Sequence, residues 1–294
     1  MKRVLITGAN SFIGTNFIKY SENRQTREIS LKEKSPEDIN FTDVDVVLHV
    51  AAIVHQSTKI NEKEYFRVNT DLCLRVAGLA KNAGVKHFVF LSTLKVYGKF
   101  IPGCELRNES SECFPDDAYG KSKYAAETGL MKMGNESFTV SIIRTPLVYG
   151  EGVMANMIKL IKLVDSVPLL PLGKIDNSRN FTYVENLVGF IDRIIKTNAS
   201  GIFIVMDENP LSTTELVEYI SKYLNKRVLL FRVPRIILRI SSLLFPDFID
   251  RLYGSLEVSN DKTKKQLGFK PGFSTEKGIE KTVLYYQERK KKAL

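Results

Sequence analysis

Tyr119-Gly-Lys-Ser-Lys123 sets a phenol and an ammonium at i and i+4 in a segment that reads as helical from Tyr119 to Met133. Side chains at that spacing share a helix face. A tyrosine with a pKa near ~10 exchanges protons poorly at neutral pH, and a neighbouring ammonium stabilises its phenolate. Each unit of lowering corresponds to ~1.36 kcal/mol. It moves the group toward the pH at which general acid–base transfer is most effective. Thr93, in LSTLKVYG (Leu91–Gly98), offers a hydroxyl just beyond a strand-like run, where it can bond the same reacting oxygen. Hydroxyl, tuned phenol and ammonium together fit hydride transfer between a nicotinamide carbon and a C–OH/C=O centre.

TGANSFIG supplies a place for the hydride carrier. Gly8 and Gly14 flank a strand-to-helix turn, where the N–H groups of Asn10, Ser11, Phe12 and Ile13 can approach a pyrophosphate. The positive end of a helix favours that charge. The usual spacing is GxxGxxG, and Ser11 holds the middle position with an N–H and a hydroxyl, at some steric cost. An acid for the ribose hydroxyls normally ends the second strand ~20 residues on. The count reaches Leu31-Lys32-Glu33 instead. Lys32 would attract the 2′-phosphate of NADP, which slightly favours NADPH within an NAD(P) reading; a solvated surface lysine is the alternative.

The elements that position these residues follow from periodicity. Val4–Thr7, Glu28–Leu31, Asp45–Val50, Lys86–Leu91 and Thr139–Ile143 read as strands, separated by helices from Phe12, over Glu62–Asn82 and over Tyr119–Met133. That alternation is an α/β pattern, a Rossmann-type doubly wound parallel sheet. Beyond Pro146 it loosens into helices at Met154–Val164, Val184–Lys196, Thr213–Leu224 and Thr275–Lys292, with a strand-like run at Ile202–Met206. Ser212 and Glu215 form a capping-box pattern. The expected division is a dinucleotide domain at 1–146, with returning segments near 181–206, and a smaller, segmented C-terminal substrate lobe at 147–180 and 207–294.

Composition bounds the partners. The 294 residues carry 43 Lys+Arg and 33 Asp+Glu, a net +10. Residues 226–294 hold 16 basic and 7 acidic side chains, so +9 of it lies at one end. That end has no regular aromatic platform and no groove-reading motif, so no nucleic-acid partner is expected. Arg235 and Arg239 share one face of Pro234–Phe245, while Ile236, Ile240 and Leu243 share another, the pattern of a peripheral membrane contact. Steering of a dianionic ligand and a solvated face ending in RKKK are the other readings. Cys73, Cys104 and Cys113 form no CxxC, and His49 and His55 lack metal-ligand spacing, so neither a disulfide framework nor a metal is expected. No signal-peptide core and no ~20-residue apolar run is present, which points to the cytoplasm.

TGANSFIG, HVAAIVH, Asn69, STLKVYG, YGKSK and RTPLVYG (Arg144–Gly150) occur in order. As a set they resemble the extended short-chain dehydrogenase/reductases of the NAD-dependent epimerase/dehydratase family, which act on nucleotide sugars. The resemblance implies that Thr93, Tyr119 and Lys123 are catalytic. It implies that Ala51 and Ala52 line the adenine–ribose site, Asn69 supports the central helix and Pro146 lies beside the nicotinamide. Residues 154–188 and Arg251–Phe269 resemble a subgroup of UDP-glucose 4-epimerases and UDP-sugar 4-reductases, with Ser259 where an Asp is usual. By that resemblance Asn156 and Arg179 hold the UDP, with Arg251 a further candidate, and the protein is a homodimer. Arginines suit a pyrophosphate through bidentate charged hydrogen bonds.

Within this family a 4,6-dehydratase places an Asp-Glu pair after its Thr, and here Leu94 and Lys95 follow Thr93. A 4-epimerase retains its NAD, which favours a ribose acid; Lys32 favours an exchangeable cofactor and net reduction. The expected activity is therefore reduction of the C4 keto group of a UDP-2-acetamido-2,6-dideoxy-4-hexulose for surface polysaccharide, with Tyr119 protonating the oxygen. A UDP-hexose 4-epimerase is the alternative, and a non-enzymatic dinucleotide-binding regulator on the same fold a distant one. Lys95 and His55 can face substrate or cofactor, or be ordinary loop residues.

Overall fold

Apolar strands without alternation need cover on both faces of their sheet. They have it in the computed structural model, which describes residues 2–22, 25–54, 60–99 and 105–292. His55 and Cys104 lie outside the described residues. Among those residues the chain runs β1 (Arg3–Thr7), α1 (Phe12–Tyr20), β2 (Gln25–Ile29), β3 (Val46–His49), α2 (Glu62–Phe66), α3 (Leu72–Asn82), β4 (His87–Thr93), α4 (Ala118–Met133), β5 (Thr139–Thr145), β6 (Leu147–Tyr149) and α5 (Ala155–Ser166). It continues through β7 (Leu169–Leu170), β8 (Phe181–Tyr183), α6 (Val184–Thr197), β9 (Gly201–Ile204), α7 (Thr213–Leu224), β10 (Leu229–Leu230), α8 (Arg235–Leu244), α9 (Pro246–Tyr253), α10 (Asp261–Leu267) and α11 (Thr275–Lys292).

Six strands form one parallel sheet in the order β2-β1-β3-β4-β5-β9. Successive side chains leave opposite faces. Val4 and Ile6 pack with Phe17 of α1 and Phe190 and Ile194 of α6 on one face. Leu5 packs with Val76 and Ala80 of α3 and Ala126 and Leu130 of α4 on the other. This is the Rossmann-type doubly wound α/β sheet that the strand–helix alternation implies.

The first core runs on beyond the sheet through Ile161 of α5, Val217 and Ile220 of α7, and Ile279 and Val283 of α11. Each such burial contributes about 1.5–3 kcal/mol. The sheet and these later helices are therefore fastened by one cluster. The Ser212 hydroxyl accepts the Glu215 N–H at 3.1 Å, and the Glu215 carboxylate accepts the Ser212 N–H at 2.7 Å, so the capping box opens α7 as read.

Beyond Pro146 the short strands β6, β7, β8 and β10 and the helices α9 and α10 were not read from the sequence, and before it two segments differ. Strand β2 is Gln25–Ile29 rather than Glu28–Leu31, because the Gly8 and Ala9 N–H groups take the Ile29 carbonyl and the chain then turns. The single helix over Glu62–Asn82 is interrupted at Arg67–Asp71 by a turn of wider, π-helical pitch. Such bulges re-aim side chains, and here Asn69 is the one turned fully inward.

Candidate active site

At the end of β1 the chain passes under Ala51. Gly8 has φ +103°, and a Cβ on it would lie 3.0 Å from the Ala51 nitrogen. Only glycine combines that dihedral with that approach. Asn10 is also left-handed, at φ +59°, and its N–H reaches the Glu28 carboxylate at 3.2 Å. Ser11 then caps α1: its hydroxyl accepts the Gly14 N–H at 3.1 Å. A Cβ on Gly14 would sit 2.9 Å from that hydroxyl, so serine replaces the middle glycine by becoming the N-cap. The Phe12 and Ile13 N–H groups belong to the open first turn, which carries no acid. This cradle fits the diphosphate of a dinucleotide.

The ribose end differs from the sequence reading. Ser30, uncharged, follows the last residue of β2, and Lys32 is exposed in the turn beyond. Glu28, which the count along the sequence passed over, is the acid nearest the cradle. Its signal was available: it sits one residue before the strand end.

β4 ends at Thr93, whose hydroxyl accepts the Lys95 N–H at 3.2 Å and shares a hydrogen bond with the Tyr119 phenol. Asp117 caps α4 by accepting the Gly120 N–H at 2.6 Å, and it also pairs with the Lys95 ammonium. A Cβ on Gly120 would lie 2.7 Å from the Lys95 carbonyl, so the turn after β4 and the start of α4 interlock. That contact fixes Thr93 beside Tyr119. Lys123, 2% exposed, donates to the Leu91 carbonyl at 2.7 Å and lies 4.3 Å from the centre of the Phe90 ring.

The electrostatics correct one expectation. Burial pushes the Tyr119 phenol above its ordinary value; the Thr93 hydrogen bond opposes this, while Asp117 and Tyr65 add to it. Lys123 does not supply the expected lowering, since its ammonium is turned to the Leu91 carbonyl. Burial instead brings Lys123 itself down to about 8, against the pull of Cys73 and Glu127.

Asn69 joins the two halves of the site. Its side-chain oxygen accepts the Ile53 N–H at 2.8 Å, and its amide donates to the Ile53 carbonyl and the Ser122 hydroxyl, both at 3.0 Å. Ala51 and Ala52, just before Ile53, are thereby tied to the helix turn between Tyr119 and Lys123. Pro146 is buried between β5 and β6.

Residues 4–206 match the family model described as the NAD dependent epimerase/dehydratase family. The chain belongs to that family. It is 34% identical to a UDP-glucose 4-epimerase of Vibrio cholerae, over 96% of this chain and 94% of that protein. It is 26% identical, over the same shares, to an N-acetyl-α-D-glucosaminyl-diphospho-ditrans,octacis-undecaprenol 4-epimerase of Escherichia coli O157:H7. The fold matches that of RMD from Pseudomonas aeruginosa, solved with NADPH, with a TM-score of 0.81 and 17% identity, covering 98% of this chain and 100% of that one.

Beneath the turn after β4 of this epimerase/dehydratase family member lies an ion pair that the sequence reading missed. Arg144 of β5 and Glu127 of α4, 3% and 2% exposed, meet at 2.6 Å, and the Ser92 hydroxyl donates to the same carboxylate. Arg144 also donates to the Tyr97 hydroxyl at 2.9 Å. Burial opposes the Arg144 charge, but Glu127 outweighs it and holds the guanidinium protonated. The signal was an arginine inside the apolar run TVSIIRT. A second missed group is Asp207. It accepts from the Tyr183 N–H, the Tyr149 hydroxyl and the Asn186 amide at 2.7–2.9 Å, and burial raises it to about 6.

The substrate candidates do not all converge. Asn156 is exposed in the first turn of α5, and Arg251 is exposed on α9. Arg179 instead spends one guanidinium nitrogen on the Asp250 and Gly254 carbonyls, at 3.1 and 2.6 Å. It clamps the helix that carries Arg251.

Proposed function

We propose that this protein is an NAD(P)-dependent nucleotide-sugar oxidoreductase that reduces the C4 keto group of a UDP-2-acetamido-2,6-dideoxy-4-hexulose. When bound, the reduced nicotinamide supplies the hydride. Tyr119 gives its proton to the C4 oxygen, and the Thr93 hydroxyl holds that oxygen beside it. Lys123, one turn further along the same face of α4, belongs to the site on its cofactor side. Gly8, Asn10 through Gly14, Ala51, Ala52 and Pro146 form the cofactor side. Asn156 and Arg251 meet the UDP, and Arg179 acts by holding α9.

The observation that carries this reading is the pairing of the Thr93 hydroxyl, at the end of β4, with the Tyr119 phenol in the first turn of α4, a pair placed to hold and protonate one carbonyl oxygen. Against a dehydratase, Leu94 is buried and the Lys95 ammonium is paired with Asp117, so no acidic pair follows Thr93. A second reading, UDP-hexose 4-epimerase, is favoured by the 34% identical Vibrio cholerae relative.

Incubation with UDP-N-acetylglucosamine, a 4,6-dehydratase and NADPH separates them. Reduction predicts a fall in reduced-nicotinamide absorbance and a new 6-deoxy sugar nucleotide. Tyr119→Phe should slow it about 10²–10⁴-fold. Interconversion of UDP-glucose and UDP-galactose without net oxidation would establish the epimerase instead.

A further inference from the structure

Helix α8 is inside out. Ile236, Ile240 and Leu243 recur at i, i+4 and i+7, with Ile237 and Leu244 beside them. At 100° per residue these five cover an arc of about 120°. All are exposed, Ile240 to 56% and Leu243 to 83%, and exposed Phe245 extends the stripe. The half-buried side carries Leu238, Ser241 and Ser242. A surface helix ordinarily turns its apolar stripe to the core. The reversed arrangement needs an apolar partner outside the fold.

The hairpin is pinned from behind. Arg179 holds the Asp250 and Gly254 carbonyls, and the Tyr253 hydroxyl donates to the Pro171 carbonyl at 2.6 Å. The stripe is thus presented on an anchored support.

Charge identifies the occupant. Residues 226–251 contain six basic and two acidic side chains. Arg239 borders the stripe about 40° from Leu243 on the helix wheel. Among the described residues the side chains of Arg227, Arg232, Arg239 and Arg251 have no ion pair or hydrogen bond. A second copy of this chain would press like charges together. Acyl chains below anionic headgroups satisfy both the stripe and its rim. No helix among the described residues is long and apolar enough to cross a membrane.

We infer that α8 and its turn into α9 dock this protein on the surface of an anionic lipid bilayer, with the apolar arc among the acyl chains and the arginines on headgroup phosphates. The surface is independent of which sugar reaction the site performs.

Sedimentation of the full chain with phosphatidylcholine vesicles, with and without phosphatidylglycerol, tests this. The protein should pellet with phosphatidylglycerol vesicles at low salt, at least tenfold more than with phosphatidylcholine alone. Arg239→Ala should weaken binding about fivefold, and Leu243→Asp and Ile240→Asp at least tenfold. Those side chains already meet water, so melting temperature and turnover in solution should not change; the Arg239→Ala and salt series decide the matter if an aspartate variant unfolds. Retention in the supernatant, equal binding to both vesicles, or full binding by Leu243→Asp overturns the inference. So does a dimer that Leu243→Asp dissociates without any vesicle binding, which would assign the face to a second copy.

Discussion

Asn69→Ala removes the bridge between the loop at Ile53 and helix α4, and the structure sets its cost. Asn69 is fully buried and makes bonds of 2.8, 3.0 and 3.0 Å. Alanine leaves the Ile53 N–H and carbonyl unpaired, at about 1–3 kcal/mol each. The Ser122 hydroxyl keeps its bond to the Tyr119 carbonyl at 2.8 Å and adds little. The sum is about 2–6 kcal/mol, or a fall in Tm of roughly 3–10 °C for a chain of this size. Because Ala51 abuts Gly8, dinucleotide affinity should fall in parallel. Thermal unfolding and calorimetric titration with NADPH read the two effects. Asn69→Asp supplies a sign test. Its carboxylate can still accept from Ile53 but cannot donate, and burial would raise its pKa above the unfolded value. Relative to the alanine variant, its stability should therefore return as pH falls through that raised pKa. An alanine variant within about 0.5 kcal/mol of the parent, with unchanged NADPH affinity, would refute the bridge.

Acid should destabilise the protein through two buried histidines. His49 is lowered to about 3 and His87 to about 4, both by burial, so the unfolded chain takes up protons first and stability is lost as pH falls below 6.5. From pH 7 to about pH 4.5 each loses about 2.5 kcal/mol, while Asp207, raised to about 6, returns about 2 kcal/mol. Urea unfolding should show a net loss of roughly 3 kcal/mol; a flat or rising profile contradicts it. Turnover should decline as pH rises past about 8, where the Lys123 ammonium is lost, and a profile flat through that region would remove Lys123 from the chemistry. Glu127→Gln leaves the Arg144 charge buried without its counter-ion and should cost about 3–5 kcal/mol. The Glu127→Met/Arg144→Met double variant should recover most of that in denaturant melts; if it is no better than the single variant, charge is not the cause.

The sheet was legible because buried parallel strands read as apolar runs, and the catalytic helix because Tyr119 and Lys123 keep i,i+4 spacing. The end of β2 was not, since Gln25–Ile29 is mostly polar and its limit is set by Gly8 and Ala9 taking the Ile29 carbonyl, a long-range bond. The ribose count therefore overshot Glu28. The surroundings of Tyr119 were legible only in part. Spacing places Lys123 on the right face, but only packing shows that its ammonium reaches Leu91. Arg179 is a third case: its type suits a diphosphate, yet the C-terminal carbonyls of α9 hold it. The amphipathic pattern of α8 was visible in sequence, whereas the direction its apolar side faces was not.

Part of the basic excess of the C-terminal end is taken up inside the fold by lysines. Lys226 and Lys290 grip the two oxygens of Asp165 at 2.6 and 2.5 Å, and Lys281 pairs with Glu185. Part of the RKKK tail is thus spent on tertiary structure, and neither ligand steering nor simple solvation accounts for it. Among the described residues the side chains of Arg227, Arg232, Arg239 and Arg251 are spent on nothing inside the fold. Guanidinium is the more weakly hydrated cation and the better fork for phosphate oxygens. Unpaired arginines gathered beside an outward apolar stripe form one surface, and that surface lies on the lobe that also carries Arg251. The docking helix runs into α9, which Arg179 and Tyr253 anchor from behind, so where the protein sits would couple to how its α9 is positioned.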